Sequence, residues 1–336
     1  MATTIRQLAD SLGVSRQTVS DVLSGKGQRF REETRVRVAE AARRAGYRPN
    51  GAAKAVFNKQ MLAVGAVIVN TTDPGRASTF YGPHSFQIIV GANQRFIEHG
   101  YVLSLVNVGG ESESRVFTEH LLDGLLVIGK TSDQTLEKIR EAAEHAVLVE
   151  TNQWRPKNCL RRDERHVGQV AVDAALGQGC DRLIWVGIDE PDKTRHYSQA
   201  ERRRGVIAAA RATGLPIKAV NFESGTHTTW RPDPIFDAID AALMHQPHRL
   251  GVIFYSEKLA NWTLGRLSRK RPELLDQLWL GACDLDTRVP VSGNLGGVLF
   301  DRFKLGIAAA DMLLGLIKSG KPQPSRRLEL AEIIRA

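Results

Sequence analysis

One pattern governs everything after residue 61: short, continuously apolar runs alternate with stretches of helical periodicity. The apolar runs lie at residues 62–69, 102–108, 124–128, 146–149, 183–186, 219–222, 250–254 and 278–282. Helical patterns separate most of them, at 88–99, 136–145, 167–176, 200–212, 235–244 and 258–267. A strand that is apolar at every position is buried on both faces, and a helix between two strands lets them pair in parallel. The alternation therefore predicts an α/β body built from doubly wound parallel sheets with helices on both sides. About 270 residues is long for one such sheet, so two lobes are expected.

The first 60 residues have a different texture. They hold twelve Lys and Arg against five Asp and Glu, a charge of +7 in a chain whose total is +9. A short basic head on a nearly neutral body points to a polyanion met by the head alone; a solvated basic face has the same composition. Three short helices are legible. Thr4 caps the first, with Gln7 placed to reciprocate, ahead of the stripe Ile5, Leu8, Ala9 and Leu12. Gly13 supplies the positive φ that ends it. Ser15 caps a second helix carrying Val19, Val22 and Leu23. A third runs over about 31–45, with Val36, Val38, Ala39 and Ala42 available for packing. Pro49-Asn50 breaks the pattern, and an Ala-rich linker follows at 51–58.

Ala9, Gly13 and Val19 have the spacing of a helix-turn-helix: a small residue where two helices cross, a glycine in the turn, and a branched residue that locks the second helix. That leaves Ser15, Arg16, Gln17, Thr18, Ser20 and Asp21 on the open face. In a major groove Arg16 matches guanine and Gln17 adenine, while Thr18 and Ser20 suit phosphate or either base. The competing reading is a generic three-helix packing unit.

The segment Thr4-Ile5, Leu8-Ala9, Gly13-Val14-Ser15, Thr18-Val19-Ser20, Val22-Leu23 and Gly25, continued by Glu33-Thr34-Arg35 and Gly46-Tyr47-Arg48-Pro49-Asn50, resembles the head of the LacI/GalR family of bacterial transcription regulators. The resemblance implies a helix-turn-helix head over 1–49, a hinge helix over 50–60 that forms on operator binding, and an effector and dimerisation domain over 61–336. It implies double-stranded DNA as partner, read as a pseudopalindrome by a homodimer in the cytoplasm. The residues it assigns to DNA are Thr4, Ser15, Arg16, Gln17, Thr18, Ser20, Asp21, Asn50, Ala53, Lys54 and Val56. Val56 stands where the family usually places a Leu that wedges into the minor groove, with Phe57 beside it. Asp21 stands where the family often has Arg; an acid there suits cytosine N4 or excludes some operators. The turn from Gly25 to Phe30 is longer and more basic than usual.

The body resembles the family more weakly, through Asp123-Gly124, Asp163 with Gly168, Arg202 with Gly205, Gly281 with Asp284, and Leu305-Gly306. This implies a two-lobed periplasmic-binding-protein-like fold. The N-lobe is expected at about 61–160 and 291–320, and the C-lobe at about 161–290 and 321–336. A carbohydrate-like effector would lie between them at the carboxyl ends of the strands, where such folds bind ligands. Arg202 matches the family's effector-binding arginine, with a surface arginine as the alternative. Asp163 either faces the cleft or caps the helix after it. Asn70, Trp230 and Glu257 complete the candidate set; a lone Trp is more often packing than a sugar platform.

Other classes are poorly served. No apolar run reaches the roughly 18 residues of a membrane span, and the N-terminus lacks the basic and apolar regions of a secretion signal. Cys159, Cys180 and Cys283 are distant and odd in number, as befits a reducing compartment. No phosphate-loop, metalloprotease or nucleophile-elbow motif occurs, and no cofactor or metal is expected. The run Gly293-Asn294-Leu295-Gly296-Gly297 reads as a turn. The alternative from another class is a sugar-binding or sugar-processing protein with a non-functional head.

Overall fold

A computed structural model describes residues 3–47, 61–70, 83–107, 119, 121–189, 196–223, 233–244, 249–285, 295–329 and 331–334. The chain forms two compact units, residues 1–61 and 62–336.

The head holds α1 (Ile5–Leu12), α2 (Arg16–Leu23), a 3-10 turn (Gly27–Arg29) and α3 (Glu32–Arg44). Its core is small: Leu8, Ala9, Val19, Val38 and Ala42 are buried, flanked by Ile5, Leu12, Val14, Val22, Leu23, Ala41 and Tyr47. Local chemistry fixes the helix ends. Gln7 N donates to Thr4 Oγ1 (3.3 Å) while Thr4 N donates to Gln7 Oε1 (2.9 Å), a reciprocal capping box. Gly13, at φ 65°, turns the chain, and Ser15 Oγ accepts from Thr18 N (3.0 Å) to start α2. The third helix departs from expectation in its buried face. Val38 and Ala42, four residues apart, point inward, whereas Val36 and Ala39 are exposed, because a helix of this length touches two short neighbours along one narrow stripe.

The body contains two six-stranded sheets. In chain order its elements are β1 (Ala63–Asn70), α4 (Pro83–Glu98), β2 (Val102–Leu105), β3 (Gly124–Lys130), α5 (Asp133–Ala142), β4 (Ala146–Val149), β5 (Cys159–Arg162), α6 (Glu164–Gly177), β6 (Arg182–Asp189), α7 (Tyr197–Ala212), β7 (Ile217–Glu223) and α8 (Asp233–Leu243). There follow β8 (Leu250–Phe254), α9 (Glu257–Lys270), β9 (Leu278–Leu285), β10 (Leu295–Phe300), α10 (Arg302–Ser319), β11 (Arg326–Leu328) and β12 (Ala331–Ile334). The sheet orders are β11-β5-β4-β3-β1-β2 and β12-β10-β9-β8-β6-β7. All described pairings are parallel except β12 against β10. Both sheets reverse their strand order beside their first strand, between β1 and β3 and between β6 and β8. Two doubly wound lobes result.

The course of the chain between lobes differs from expectation. Leu295–Phe300 joins the second sheet as β10, so the chain re-enters the first lobe at Asp301 rather than near 291. It crosses back between Leu328 and Ala331 rather than near 321, β11 extending the first sheet and β12 the second. The Gly293–Gly297 run is thus not simply a turn: Leu295, Gly296 and Gly297 begin a buried strand. A Cβ on Gly296 would sit 3.1 Å from Trp279 Nε1, which explains glycine inside a strand.

Two helix crossings depend on glycine. Gly168 of α6 and Gly205 of α7 face one another so closely that a Cβ on Gly205 would overlap the Arg165 carbonyl and one on Gly168 would lie 2.6 Å from the Arg202 carbonyl. Gly91 of α4 and Gly306 of α10 stand in the same relation to Phe303 and Ile88. Among the described residues no helix is long and apolar enough to cross a membrane.

Candidate functional site

On the head, the open face of α2 begins with Ser15, Arg16 and Gln17, all exposed, and Thr18 and Ser20 are half-buried beside the fully buried Val19. Ser15 and Thr18 share a hydroxyl hydrogen bond (2.9 Å), so much of their capacity serves the cap, as that of Thr4 does on α1. Among the described residues Arg16 forms no ion pair, which leaves its five donors available to a ligand.

Asp21 is less open than the other predicted contact residues on α2. It is 9% exposed, and both carboxylate oxygens are engaged: Gln17 Nε2 donates to Oδ1 (2.8 Å) and Arg29 Nη2 to Oδ2 (2.5 Å). Each oxygen thus already accepts one bond from within the head, and little of the carboxylate remains exposed to a base. The 3-10 turn is the cause, because it folds Arg29 back onto α2. Basic flank residues are held as well: Arg37 Nη2 donates to the Leu12 carbonyl (3.1 Å), and Arg29 lies 4.9 Å from the Phe30 ring centroid. Asn50, Ala53, Lys54 and Val56, together with Phe57, lie outside the described residues.

In the body, polar groups converge at the carboxyl ends of the strands. Arg202, on α7 and 1% exposed, spends its guanidinium on four bonds. Nε and Nη2 grip Glu164 (2.5 and 2.9 Å), Nη2 also reaches Asp284 Oδ2 (2.8 Å), and Nη1 donates to the Tyr255 carbonyl (2.8 Å). Asp284, near the end of β9, also receives Arg162 Nη1 (3.1 Å) from β5 and Arg302 from the start of α10. Arg162 donates in addition to Glu150 Oε2 (2.6 Å) and pairs with Glu164 (3.1 Å). Glu150 in turn accepts from the Tyr197 hydroxyl (2.8 Å), and its carbonyl lies 2.9 Å from His196 Nε2. Three arginines and three carboxylates thus form one buried, charge-balanced network. It joins Glu150 and Arg162 of the first lobe and Arg302 of α10 to Glu164, Arg202 and Asp284 of the second.

The network sets its members' proton affinities. Burial opposes the charge on Asp284, but Arg162, Arg302 and Arg202 overcome it and hold the carboxyl well below its ordinary range. Burial likewise opposes Arg162 and Arg202, and the surrounding acids raise both well above the usual arginine value. Burial, with Glu150 next to it, pushes the Tyr197 hydroxyl well up; at His196 burial prevails over the Glu150 carbonyl and charge and lowers the imidazole. Outside the network, Arg161 Nε donates to the Thr151 carbonyl (3.1 Å), and its guanidinium lies over Tyr197 (4.1 Å) and Trp154 (4.9 Å).

The predicted effector residues fare unequally. Arg202 is at the centre of the network and is no surface arginine. Asp163 caps α6, accepting from the N–H groups of Arg165 (3.0 Å) and His166 (3.1 Å), and among the described residues its side chain makes no bond into the network. Glu257 is buried at the start of α9 and accepts from Asn261 Nδ2 (3.3 Å). Asn70 ends β1, its side chain outside the described residues, as is all of Trp230. Sequence reasoning did not single out Glu150, Arg162, Glu164, Tyr197, Tyr255 or Arg302 as site residues. One signal was present: Arg161-Arg162-Asp163-Glu164 directly follows Cys159-Leu160, and charges abutting a buried strand need buried partners.

The model of the bacterial regulatory proteins of the lacI family matches residues 4–50, the helices and turns just described. Residues 4–50 thus carry a lacI-family head. Relatives extend the match along the body. The maltose regulon regulatory protein MalI of Escherichia coli strain K12 is 27% identical over 271 residues, 76% of this chain and 72% of its own. The transcriptional regulator PtxS of Pseudomonas putida is 24% identical over 340 residues, 97% of this chain and 92% of its own. Among solved structures, the lac repressor dimer bound to operator and the anti-inducer ONPF superposes with a TM-score of 0.68 at 18% identity, covering 100% of this chain and 98% of that one. A complex of the transcriptional regulator CelR with cellobiose gives 0.57 at 20%, with 98% of each chain covered. These likenesses show the periplasmic-binding-protein-like fold. With that head and regulators as relatives along the body, the protein is a sequence-specific, DNA-binding transcription regulator, and a sugar-binding or sugar-processing protein with a non-functional head finds no support.

Proposed function

We propose that this regulator is a cytoplasmic homodimeric repressor whose operator affinity is set by a carbohydrate-like effector bound between the lobes. The head (1–49) would supply the base contacts, Arg16 and Gln17 foremost. The linker (50–60) would enter the minor groove with Asn50, Ala53, Lys54 and Val56. The rest of the chain would sense the effector. The observation that carries the base-reading part is the exposed Ser15-Arg16-Gln17 edge of α2, set over a three-helix core in which Thr4 and Ser15 cap the first two helices.

Dimerisation is supported by exposed apolar residues on the first lobe: a row of Phe86, Val90 and Ile97 along α4, and separately Val102 and Leu105 on the edge strand β2. Such a row is costly to leave in water and suits a self-complementary contact. The effector part is supported by the polar network at the carboxyl ends of the strands. An effector placing hydroxyls near Arg202 and Asp284 would compete for bonds that tie the lobes together, so its binding and the lobe arrangement are linked. By reciprocity, operator binding then changes effector affinity by the same factor. The test is a thermal-shift screen of neutral sugars, sugar acids and nucleobases, followed by operator titrations with each stabilising compound. The reading requires at least one compound that raises the melting temperature and changes operator affinity; stabilisers that leave operator affinity untouched would contradict it.

A further inference from the structure

We propose that Asp21 is a positioning residue for base recognition: it fixes the orientation of the Gln17 carboxamide, and so sets adenine over guanine at the base Gln17 meets. The inference rests on the reading above that Gln17 faces the major groove.

Three observations carry it. Asp21 lies one turn after Gln17 on α2, and Gln17 Nε2 donates to its Oδ1 at 2.8 Å. A carboxylate oxygen accepts only, so it admits the N–H end of the amide and rejects the carbonyl end. The amide therefore cannot rotate by half a turn without setting two acceptors against each other. Second, the other oxygen is anchored: Arg29 Nη2 donates to Oδ2 at 2.5 Å. Third, the backbone around the anchor is built for it. Lys26 N donates to the Asp21 carbonyl (2.9 Å), and Gly27 lets the turn close on α2, since a Cβ there would fall 2.8 Å from the Val22 Cα. The side chain of Asp21 is 12% exposed while that of Arg29 is 64% exposed, so the acid is covered and its cationic partner remains available to DNA.

The chemical consequence follows from the base edges. With one N–H bound to Asp21, Gln17 presents its second N–H and its carbonyl side by side. Adenine offers a matching acceptor and donor at N7 and N6, whereas guanine offers two acceptors, N7 and O6. A Gln free to rotate can turn its NH₂ group to guanine; one held by Asp21 meets guanine with its carbonyl against O6. Asp21 thus acts through Gln17, and an acid within a basic DNA-binding face is accounted for without any contact to a base.

The experiment uses the full-length chain. Operators are selected by the wild-type protein from a random duplex pool, and base preferences are then compared for Q17A, D21A, R29A and D21N in the R29A background. One position per half-site should favour adenine, and Q17A should abolish that preference. D21A should shift the adenine-to-guanine ratio at that same position toward guanine by about tenfold. D21N, made in the R29A background so that its single oxygen meets no competing donor, still accepts from Gln17 Nε2 and should keep the wild-type ratio. R29A should also keep it while lowering affinity on all sequences and reducing the salt slope by about one. If D21A lowers stability, D21L fills the site without an acceptor and repeats the comparison. A wild-type ratio in both D21A and D21L, or a shift in D21N with R29A as large as theirs, would overturn the proposal. No change at any position in Q17A would instead remove Gln17 from the groove and with it the reading on which the proposal rests.

Discussion

Replacing Asp284 by Ala should be among the most damaging single changes in the body. The residue is 5% exposed and its carboxylate is shared by three guanidiniums: Arg162 Nη1 at 3.1 Å, Arg202 Nη2 at 2.8 Å, and Arg302. Arg162 and Arg202 would keep Glu164, but the ion pairs described for Arg302 end at Asp284. Truncation therefore leaves a buried cation uncompensated, a defect that costs about 3–5 kcal/mol. Asp284→Asn keeps the shape and should cost less, because it retains one acceptor for the arginines. The pH dependence has a definite sign. The Asp284 carboxyl lies well below its ordinary value in the folded chain, so its stabilisation is complete above the unfolded value of about 4 and is lost as pH falls toward the folded value. Urea unfolding of wild type and Asp284→Asn between pH 3 and 7 measures both effects. The gap between the two should be widest at neutral pH and narrow below about pH 4. A gap below about 0.5 kcal/mol for Asp284→Ala at pH 7, the level of an ordinary surface substitution, would refute the reasoning.

Three further outcomes are expected. Gly205→Ala drives a methyl group into the Arg165 carbonyl at the α6–α7 crossing and should destabilise the body by about 1–3 kcal/mol in denaturant unfolding, with head helicity unchanged. Ile97→Asp, on the exposed apolar row of α4, should convert dimer to monomer in sedimentation equilibrium and weaken operator binding without lowering the stability of the monomer. Arg16→Ala should cost about 1–3 kcal/mol at a single operator position, whereas a loss uniform across sequences would make Arg16 a phosphate contact.

What could be read from sequence follows from how local its physical cause is. The head was legible almost residue by residue, because caps, a glycine turn and a narrow apolar stripe act within one or two turns of helix. The parallel sheets were legible where their strands are wholly apolar, as in β3, β4 and β8. β5 was not, since Cys159–Arg162 carries two buried arginines: Arg162 rests on Glu150, Glu164 and Asp284, and Arg161 on the Thr151 carbonyl and the Tyr197 and Trp154 rings. β10 was not, because Gly296 and Gly297 suggest a loop until the first is seen packed on Trp279 and the second on the Ala282 backbone. The motif glycines Gly168 and Gly205 were visible as a pattern, and only the helix crossing supplies their reason. Asp21 shows the same limit at the candidate site. Its place on the outer face of α2 was readable, but its burial and its bond to Arg29 depend on the turn at 27–29. Arg202 was found through family resemblance and proves to be one member of an ionic network, which no spacing in the sequence encodes.

The central claim is that the head reads duplex DNA through a basic surface. It is tested most directly by the salt dependence of full-length protein binding to its selected operator, set beside a scrambled duplex of equal length. Log affinity should fall steeply and linearly with log salt on both duplexes, with the operator bound at least about 1000-fold more tightly at physiological salt. Equal affinity for the two duplexes, or affinity that does not change with salt, would contradict the account.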